Sequence, residues 1–460
     1  MRIAVVGGGA TGALVATHIA RRFAGRGAEI CVIDPAENIG RGLAYSTTDP
    51  RHLLNVRVAN MSAFADAPDH FRAWLERRDG APVSPYSFVS RSEYGDYIAE
   101  IAREAISSGA IRHLSDTVVD IVESQSQATL YLASGRTLDA DYIVLATGHD
   151  AKPAVDGLAA EPPWTANALE GFDAQAPVLI VGSGLTMVDL ALSLDRRGHR
   201  GPIVVVSRRG LLSQAHRSVT PPRKVAAAEV PFGANLSGLL HWMRALARRF
   251  EADGADWRAA IDVLRPHTQR LWQAMTPAQK RRFLRHARVY WDIHRHRMAP
   301  EIAAALGALR ASGRLRIVAG RIVSAEPCGE GVRVFISERG GEAAKAQTFA
   351  RILDCTGLAS DVTKSPNPLI RALLARGALR PDALQICLDV AEDFSIVDSD
   401  GTRSRRIKTL GPLARAAFWE CIAIPDIRVQ CREIADKLAA HMEQGISNAA
   451  PDSDGFVGPL

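Results

Sequence analysis

Two glycine-rich turns carry the groups with the most evident chemical use in this 460-residue sequence. The first joins the apolar run Ile3–Val6 to an alanine-rich helical stretch through Gly7, Gly9 and Gly12, spaced Gly-x-Gly-x-x-Gly. Gly7 permits a tight strand-to-helix turn, Gly9 lets backbone approach a pyrophosphate, and Gly12 lets helix pack closely on strand. Ala10, Thr11 and Gly12 then open a helix whose free N–H groups suit phosphate oxygens. A second apolar run, Ile30–Ile33, ends in Asp34, 22 residues after Gly12. A carboxylate at that place accepts hydrogen bonds from a ribose hydroxyl.

The second turn repeats the arrangement. Val178–Val181 run into Gly182 and Gly184, with Thr186 in the first turn of the helix that follows. Met187 stands where a third glycine would, so helix and strand are expected to sit further apart here. The next strand, Ile203–Ser207, delivers Arg208 and Arg209. An acid at this strand end would suit a bare ribose. Two arginines beside a serine suit a 2′-phosphate, through bidentate charge-assisted hydrogen bonds. The plainer alternative for the pair is a solvated strand end. Two dinucleotide sites of opposite sign point to FAD at the first and NADPH at the second.

Strands must position these turns. The apolar segment from Asp141 ends in Thr147 and Gly148, and that from Arg351 ends in Thr356 and Gly357, one such strand before and one after the second turn. The expected fold is α/β, with two Rossmann-like dinucleotide-binding domains. The FAD domain is discontinuous (1–165 and 320–460), the NADPH domain spans 170–320, and a helical insertion lies within it at 225–310. In the insertion, apolar residues recur at three and four spacing without strand signals. Trp242, Phe250, Trp257, Trp272, Phe283, Tyr290 and Trp291 form either the core of a helical subdomain or a lid over a flat or apolar substrate. His286, His294 and His296 lie among arginines. Because His294 and His296 are two apart, a helix points them to different faces, and no metal site is expected.

Composition narrows the class. With 47% hydrophobic and 23% charged residues the chain reads as an ordinary globular protein. A net charge of +6 is small for this length, so nucleic acid is not an expected partner. The six cysteines include no Cys-x-x-Cys pair, which argues against zinc, a disulfide framework or a redox dithiol and fits a cytoplasmic location. No apolar run reaches the ~20 residues of a membrane span. The tail after Gly445 reads as disordered.

The sequence resembles the bacterial FAD/NAD(P)-binding oxidoreductases related to flavin monooxygenases. The resemblance is carried by Gly40, Arg41, Gly42 and Tyr45; His52 and Asn55; Met61 and Ser62; Phe71 and Trp74; Arg91 and Tyr94–Tyr97; and His216. It continues through Asp256–Arg258, Arg295–Arg297, Gly411 and Pro412, Phe418–Glu420, and Pro425, Asp426 and Arg428. It implies FAD and NADPH as cofactors and, more loosely, oxygen and a small-molecule substrate. Some members resemble urate hydroxylases, and more distant relatives N-hydroxylate amines. The expected activity is NADPH-driven reduction of FAD followed by hydroxylation of the substrate. The alternatives are an NADPH:acceptor reductase and a non-catalytic flavin-binding sensor. Gly40–Gly42 with Tyr45 would close over the FAD phosphates or adenosine, unless they form a plain surface turn. Asn55, set among apolar residues, is the candidate active-site group, holding the flavin edge or the substrate; a structural amide capping a turn is its rival. Gly411 would begin a helix through Phe418 and Trp419 whose N-terminus faces the flavin pyrimidine.

Overall fold

Apolar runs without alternation build strands buried on both faces, as parallel sheets covered by helices require. The computed structural model describes residues 1–148, 158, 160–165, 167–217, 223–329, 331–357 and 361–447. The expected disordered tail lies largely outside these residues. The strands, in chain order, begin with β1 (Arg2–Val6), β2 (Glu29–Ile33), β3 (Arg112–Leu114), β4 (Val118–Glu123), β5 (Ala128–Leu132), β6 (Thr137–Ala140) and β7 (Tyr142–Leu145). They continue with β8 (Val178–Val181), β9 (Ile203–Ser207), β10 (Leu315–Cys328), β11 (Gly331–Glu338) and β12 (Lys345–Phe349). The last are β13 (Arg351–Asp354), β14 (Ser395–Val397) and β15 (Arg403–Thr409).

Two six-stranded sheets result, in the orders β14-β15-β7-β1-β2-β3 and β12-β11-β10-β9-β8-β13, with β4-β5-β6 as a small third sheet. The central ladders of both are parallel: β15, β7, β1, β2 and β3 in the first, and β10, β9, β8 and β13 in the second. In the first module, helices α1 (Ala10–Arg22), α2 (Gly42–Tyr45), α3 (His70–Asp79) and α4 (Arg91–Ser107) follow the early strands. In the second module, α5 (Leu185–Arg196) follows β8.

The two Rossmann-like modules of the α/β expectation are therefore present, but the division at residue 320 moves. That residue falls inside β10, which pairs in parallel with β9 over Leu315–Ala319 and turns antiparallel against β11 beyond. One continuous strand thus carries the chain across both ladders, and β13 then closes the second sheet against β8. Residues 320–354 belong with the second sheet, and the first sheet regains strands only at β14.

The insertion consists of α6 (Leu236–Ala252), α7 (Trp257–Asp262), α8 (Thr268–Gln273), α9 (Pro277–Arg282), α10 (Arg288–Arg295) and α11 (Pro300–Ala311). The chain then adds α12 (Pro368–Ala375) and α13 (Ile424–Ser447) to the first module. Although inserted in the second module, the helices dock on the first. Trp272, 2% exposed, stacks on Trp419 at 4.7 Å and donates its indole N–H to the Ala416 carbonyl at 2.8 Å. Phe283 meets the same Trp419 edge-on at 5.6 Å, and Arg265 pairs with Asp426 at 2.9 Å.

A second seam joins the modules directly. Arg91 reaches Asp189 of α5 at 2.9 Å. Asp49 accepts the Ser193 hydroxyl at 2.7 Å and faces Arg196 at 3.1 Å, while His52 lies 2.8 Å from the same hydroxyl. Leu53 and Phe88 of the first module pack onto the apolar core of the second.

Replacing Trp272 by Ala removes the stacked contact, the indole hydrogen bond and about 3–5 kcal/mol of stability. Chemical denaturation followed by tryptophan fluorescence checks this. A loss below about 1 kcal/mol would show that the insertion does not depend on this contact.

Candidate nucleotide and active site

The first turn is held by close backbone contact. Gly7 has φ +104°, and a methyl there would lie 2.5 Å from the Ala146 carbonyl oxygen. A methyl on Gly12 would lie 1.8 Å from the Gly7 oxygen, so this third glycine is sterically obligatory. Gly9 caps α1 in extended backbone with no side-chain hydrogen bond. Elsewhere Ser90, Asn235 and Asn367 cap α4, α6 and α12 with their side chains. At α1 the first amides, those of Ala10, Thr11 and Gly12, are left open, as an anion site requires. Asp34 accepts the Gly8 N–H at 2.6 Å and the Ala36 N–H at 2.8 Å. It braces the turn, and a carboxylate has about four acceptor positions, so others remain for a ribose hydroxyl.

Thr147 and Gly148 continue from Ala146, whose N–H bonds to Val6 at 2.8 Å, and so flank this turn. Gly42 (φ +55°) crosses it: a methyl there would meet the Gly9 Cα at 3.1 Å. The short helix α2 is wedged on its other side against α4, where a methyl on Gly95 would lie 2.4 Å from the Tyr45 oxygen. Arg41 pairs with Asp96, and burial pushes the Tyr45 hydroxyl up to about 12. The segments Gly40–Tyr45 and Tyr94–Tyr97, separate in the sequence, are one structural unit over the turn.

Gly411 (φ +64°) also reaches this place, with Thr11 Cγ2 3.3 Å from where its Cβ would be. The expected helix is not there. Gly411–Ala414 forms one 3-10 turn, the Gly411 N–H is taken by Gln430 at 2.9 Å, and α13 starts only at Ile424. Glu420 at φ +65° is left-handed, a conformation that a helix cannot include. Phe418 and Trp419 are buried instead against Phe394 and Trp272, each at 4.7 Å.

The second turn reproduces the first. Gly182 has φ +104°, and a methyl there would lie 2.2 Å from the Cys355 carbonyl oxygen. Gly184 caps α5 in extended backbone without a side-chain bond, leaving the Leu185 and Thr186 amides open. Nothing lies within 4 Å of a methyl on Gly184. Met187 is fully buried in the core beneath α5. Thr356 and Gly357 follow Cys355, so Gly357 stands beside the second turn and not in the first module. At the end of β9, Arg208 is exposed and Arg209 lies over the Tyr290 ring at 5.3 Å. Among the described residues neither pairs with a carboxylate.

Asn55 sits where the two modules and the insertion meet. Its carbonyl accepts from His216 Nε2 at 3.1 Å, while no hydrogen bond to its side-chain amide occurs among the described residues. The imidazole of His216, also 5.1 Å from the Phe88 ring, is pushed to about 3 by burial and by the nearby Arg297. It is therefore neutral and donates from Nε2.

Sequence spacing missed the partner of His296. Asp292 on α10 and His296, the residue just past its end, are four apart, and Glu420 arrives from the first module, so three ligand atoms lie within 4.8 Å. Trp291 donates to Glu420 at 2.8 Å, His296 lies at 3.4 Å and Arg295 at 3.5 Å. Burial alone would raise the Glu420 carboxyl, but His296 and Arg295 outweigh it and hold it at about 2. With these partners and Arg288 on Asp292 at 3.4 Å, the cluster is compensated within the protein and latches the insertion to the first module. His294 turns away to the Tyr290 carbonyl at 2.7 Å.

Gly12→Ala, which forces the added methyl onto the Gly7 oxygen, is expected to yield protein lacking FAD. The ratio of flavin to protein absorbance after purification measures it, and stoichiometric FAD in the variant would contradict the placement of the cofactor at this turn.

Residues 4–150 match the FAD-NAD(P)-binding family. No curated protein sequence matches the chain. Among solved structures, L-lysine 6-monooxygenase from Pseudomonas syringae is similar at 16% identity and a TM-score of 0.66, over 95% of this chain and 99% of that one. The ornithine hydroxylase from Pseudomonas aeruginosa is similar at 15% identity and a TM-score of 0.63, over 96% and 99%. The bacillithiol disulfide reductase from Staphylococcus aureus follows at 13% and 0.56, over 96% and 98%. The match covers about a third of the chain, and the chain as a whole has the fold of these hydroxylases and of the disulfide reductase.

Proposed function

We propose that the chain is an NADPH-dependent flavoprotein monooxygenase that hydroxylates a small amine. One observation carries the reading. Two helix N-termini of matching geometry are both left uncapped, yet the neighbouring strand ends differ in sign, Asp34 at one and Arg208 with Arg209 at the other. The residues fit their cofactors: the open amides of α1 suit the FAD pyrophosphate, Asp34 its ribose, and the two arginines the 2′-phosphate of NADPH. When bound, FAD supplies the hydride-accepting and oxygen-activating chemistry. The protein holds both nucleotides, offers the Asn55 amide to the flavin edge or substrate, and excludes water with the insertion.

The similar hydroxylases are named for ornithine, lysine and cadaverine, which supports an amine over a purine such as urate. A disulfide reductase shares the fold, but the dithiol branch needs paired thiols, and this sequence has no Cys-x-x-Cys. Other electron acceptors remain the competing reading.

Rapid mixing of the FAD-loaded protein with NADPH or NADH without oxygen, then with oxygen and amines, tests it. NADPH is expected to bleach the flavin faster than NADH, and oxygen to give a hydroxylated amine. The double variant Arg208→Ala, Arg209→Ala should raise the NADPH KM about 10- to 100-fold and leave the NADH KM nearly unchanged, as loss of charge-assisted hydrogen bonds implies. Equal effects on both nucleotides would remove the NADPH assignment. Reoxidation without hydroxylated product across the amines would favour the reductase.

A further inference from the structure

Where the modules and the insertion meet, positive charge outruns its partners. Arg57 comes from the first module, crosses the seam to donate to the Arg217 carbonyl at 2.5 Å, and lies over Tyr86 at 5.4 Å and Phe88 at 5.9 Å. Among the described residues it forms no ion pair. Arg297, 3% exposed, gives one nitrogen to Asp262, while its Nε and Nη1 are buried without a hydrogen-bond partner. Arg258 is already bonded to Asp256 at 2.9 Å and to the Ala215 carbonyl at 2.8 Å. The acid that acts on Arg57 is Asp262, which Arg297 already holds. Neutral His216, fixed by its bond to Asn55, sits among these guanidiniums and adds no charge.

Arg57 carries its charge half-buried without an anion of its own, and the unpaired buried N–H groups of Arg297 are costly. Such an arrangement is relieved by an incoming oxyanion, which a planar guanidinium grips through two parallel hydrogen bonds. We propose that this junction is a substrate subsite in which Arg57 and Arg297 bind a carboxylate or similar oxyanion. The proposal deepens the monooxygenase reading and rests on it in placing the substrate here. It makes the substrate a carboxylated amine and disfavours simple diamines, which have no group to neutralise the arginines. The Phe88 face beside His216 supplies an apolar wall for the carbon skeleton.

Calorimetric titration of the full-length FAD-loaded protein with benzoate, and with benzamide as its uncharged counterpart, tests the subsite. Benzoate is expected to bind saturably and benzamide not. Arg57→Gln should weaken benzoate binding about tenfold or more, and Arg57→Lys should recover part of it, because a point charge replaces the fork. The NADPH KM should stay unchanged in both variants. Absence of benzoate binding, equal binding of benzamide, or unchanged benzoate affinity in Arg57→Gln would overturn the proposal. A raised NADPH KM in Arg57→Gln would also overturn it, by assigning the arginines to a cofactor phosphate. Flavin bleaching by NADPH in the same preparation separates the two readings: bleaching without benzoate binding defeats the subsite alone, while absent bleaching defeats the proposed function.

Discussion

The structure depends on backbone-to-backbone contact at two glycine turns. At Gly12 and Gly182 the space for a side chain is filled by a carbonyl oxygen of a neighbouring turn or strand end. These contacts bring each helix onto its sheet and hold its N-terminus above the carboxyl ends of the strands, where open α/β sheets bind ligands. No side chain caps either helix. Ser90, Asn235 and Asn367 cap α4, α6 and α12 with their side chains, whereas the open amides of α1 and α5 are free to donate to an external anion.

The insertion ties the two Rossmann-like modules together. It leaves the second module after β9 but buries Trp272 and Phe283 against Trp419 of the first. Glu420 accepts from Trp291 and faces Arg295 and His296 across the same boundary. Neither module can shift without breaking these contacts or the Arg91–Asp189 and Asp49–Ser193 bonds of the direct seam. A buried carboxylate such as Asp189 would be left uncompensated by such a shift, which makes the present arrangement strongly favoured.

Local features were legible in the sequence. The turns at Gly7–Gly12 and Gly182–Gly184 and the helical character of the insertion each depend on residues within a few positions of one another, and Asp34 follows at the end of the very next strand. Pairings between distant segments were not. Nothing in Leu315–Cys328 distinguishes one long strand serving two ladders from the end of one module and the start of the next. Apolar spacing at Phe418 and Trp419 suggested a helix, but those rings are spent on tertiary stacking and Glu420 adopts a left-handed backbone. Histidine spacing set His294 and His296 on different faces, but gave no sign that His296 meets Asp292, four residues back, and Glu420, far along the chain. The arginine junction likewise draws on Arg57 and Arg297, far apart in the sequence, and only the fold brings them together.

The central claim is that one chain holds two nucleotides at separate turns. Calorimetric titration of the FAD-loaded protein with NADP+, while flavin absorbance is followed, tests it most directly. The account predicts one NADP+ bound per chain with all FAD retained. Displacement of FAD by NADP+, or no binding of NADP+ to the FAD-loaded chain, would contradict it.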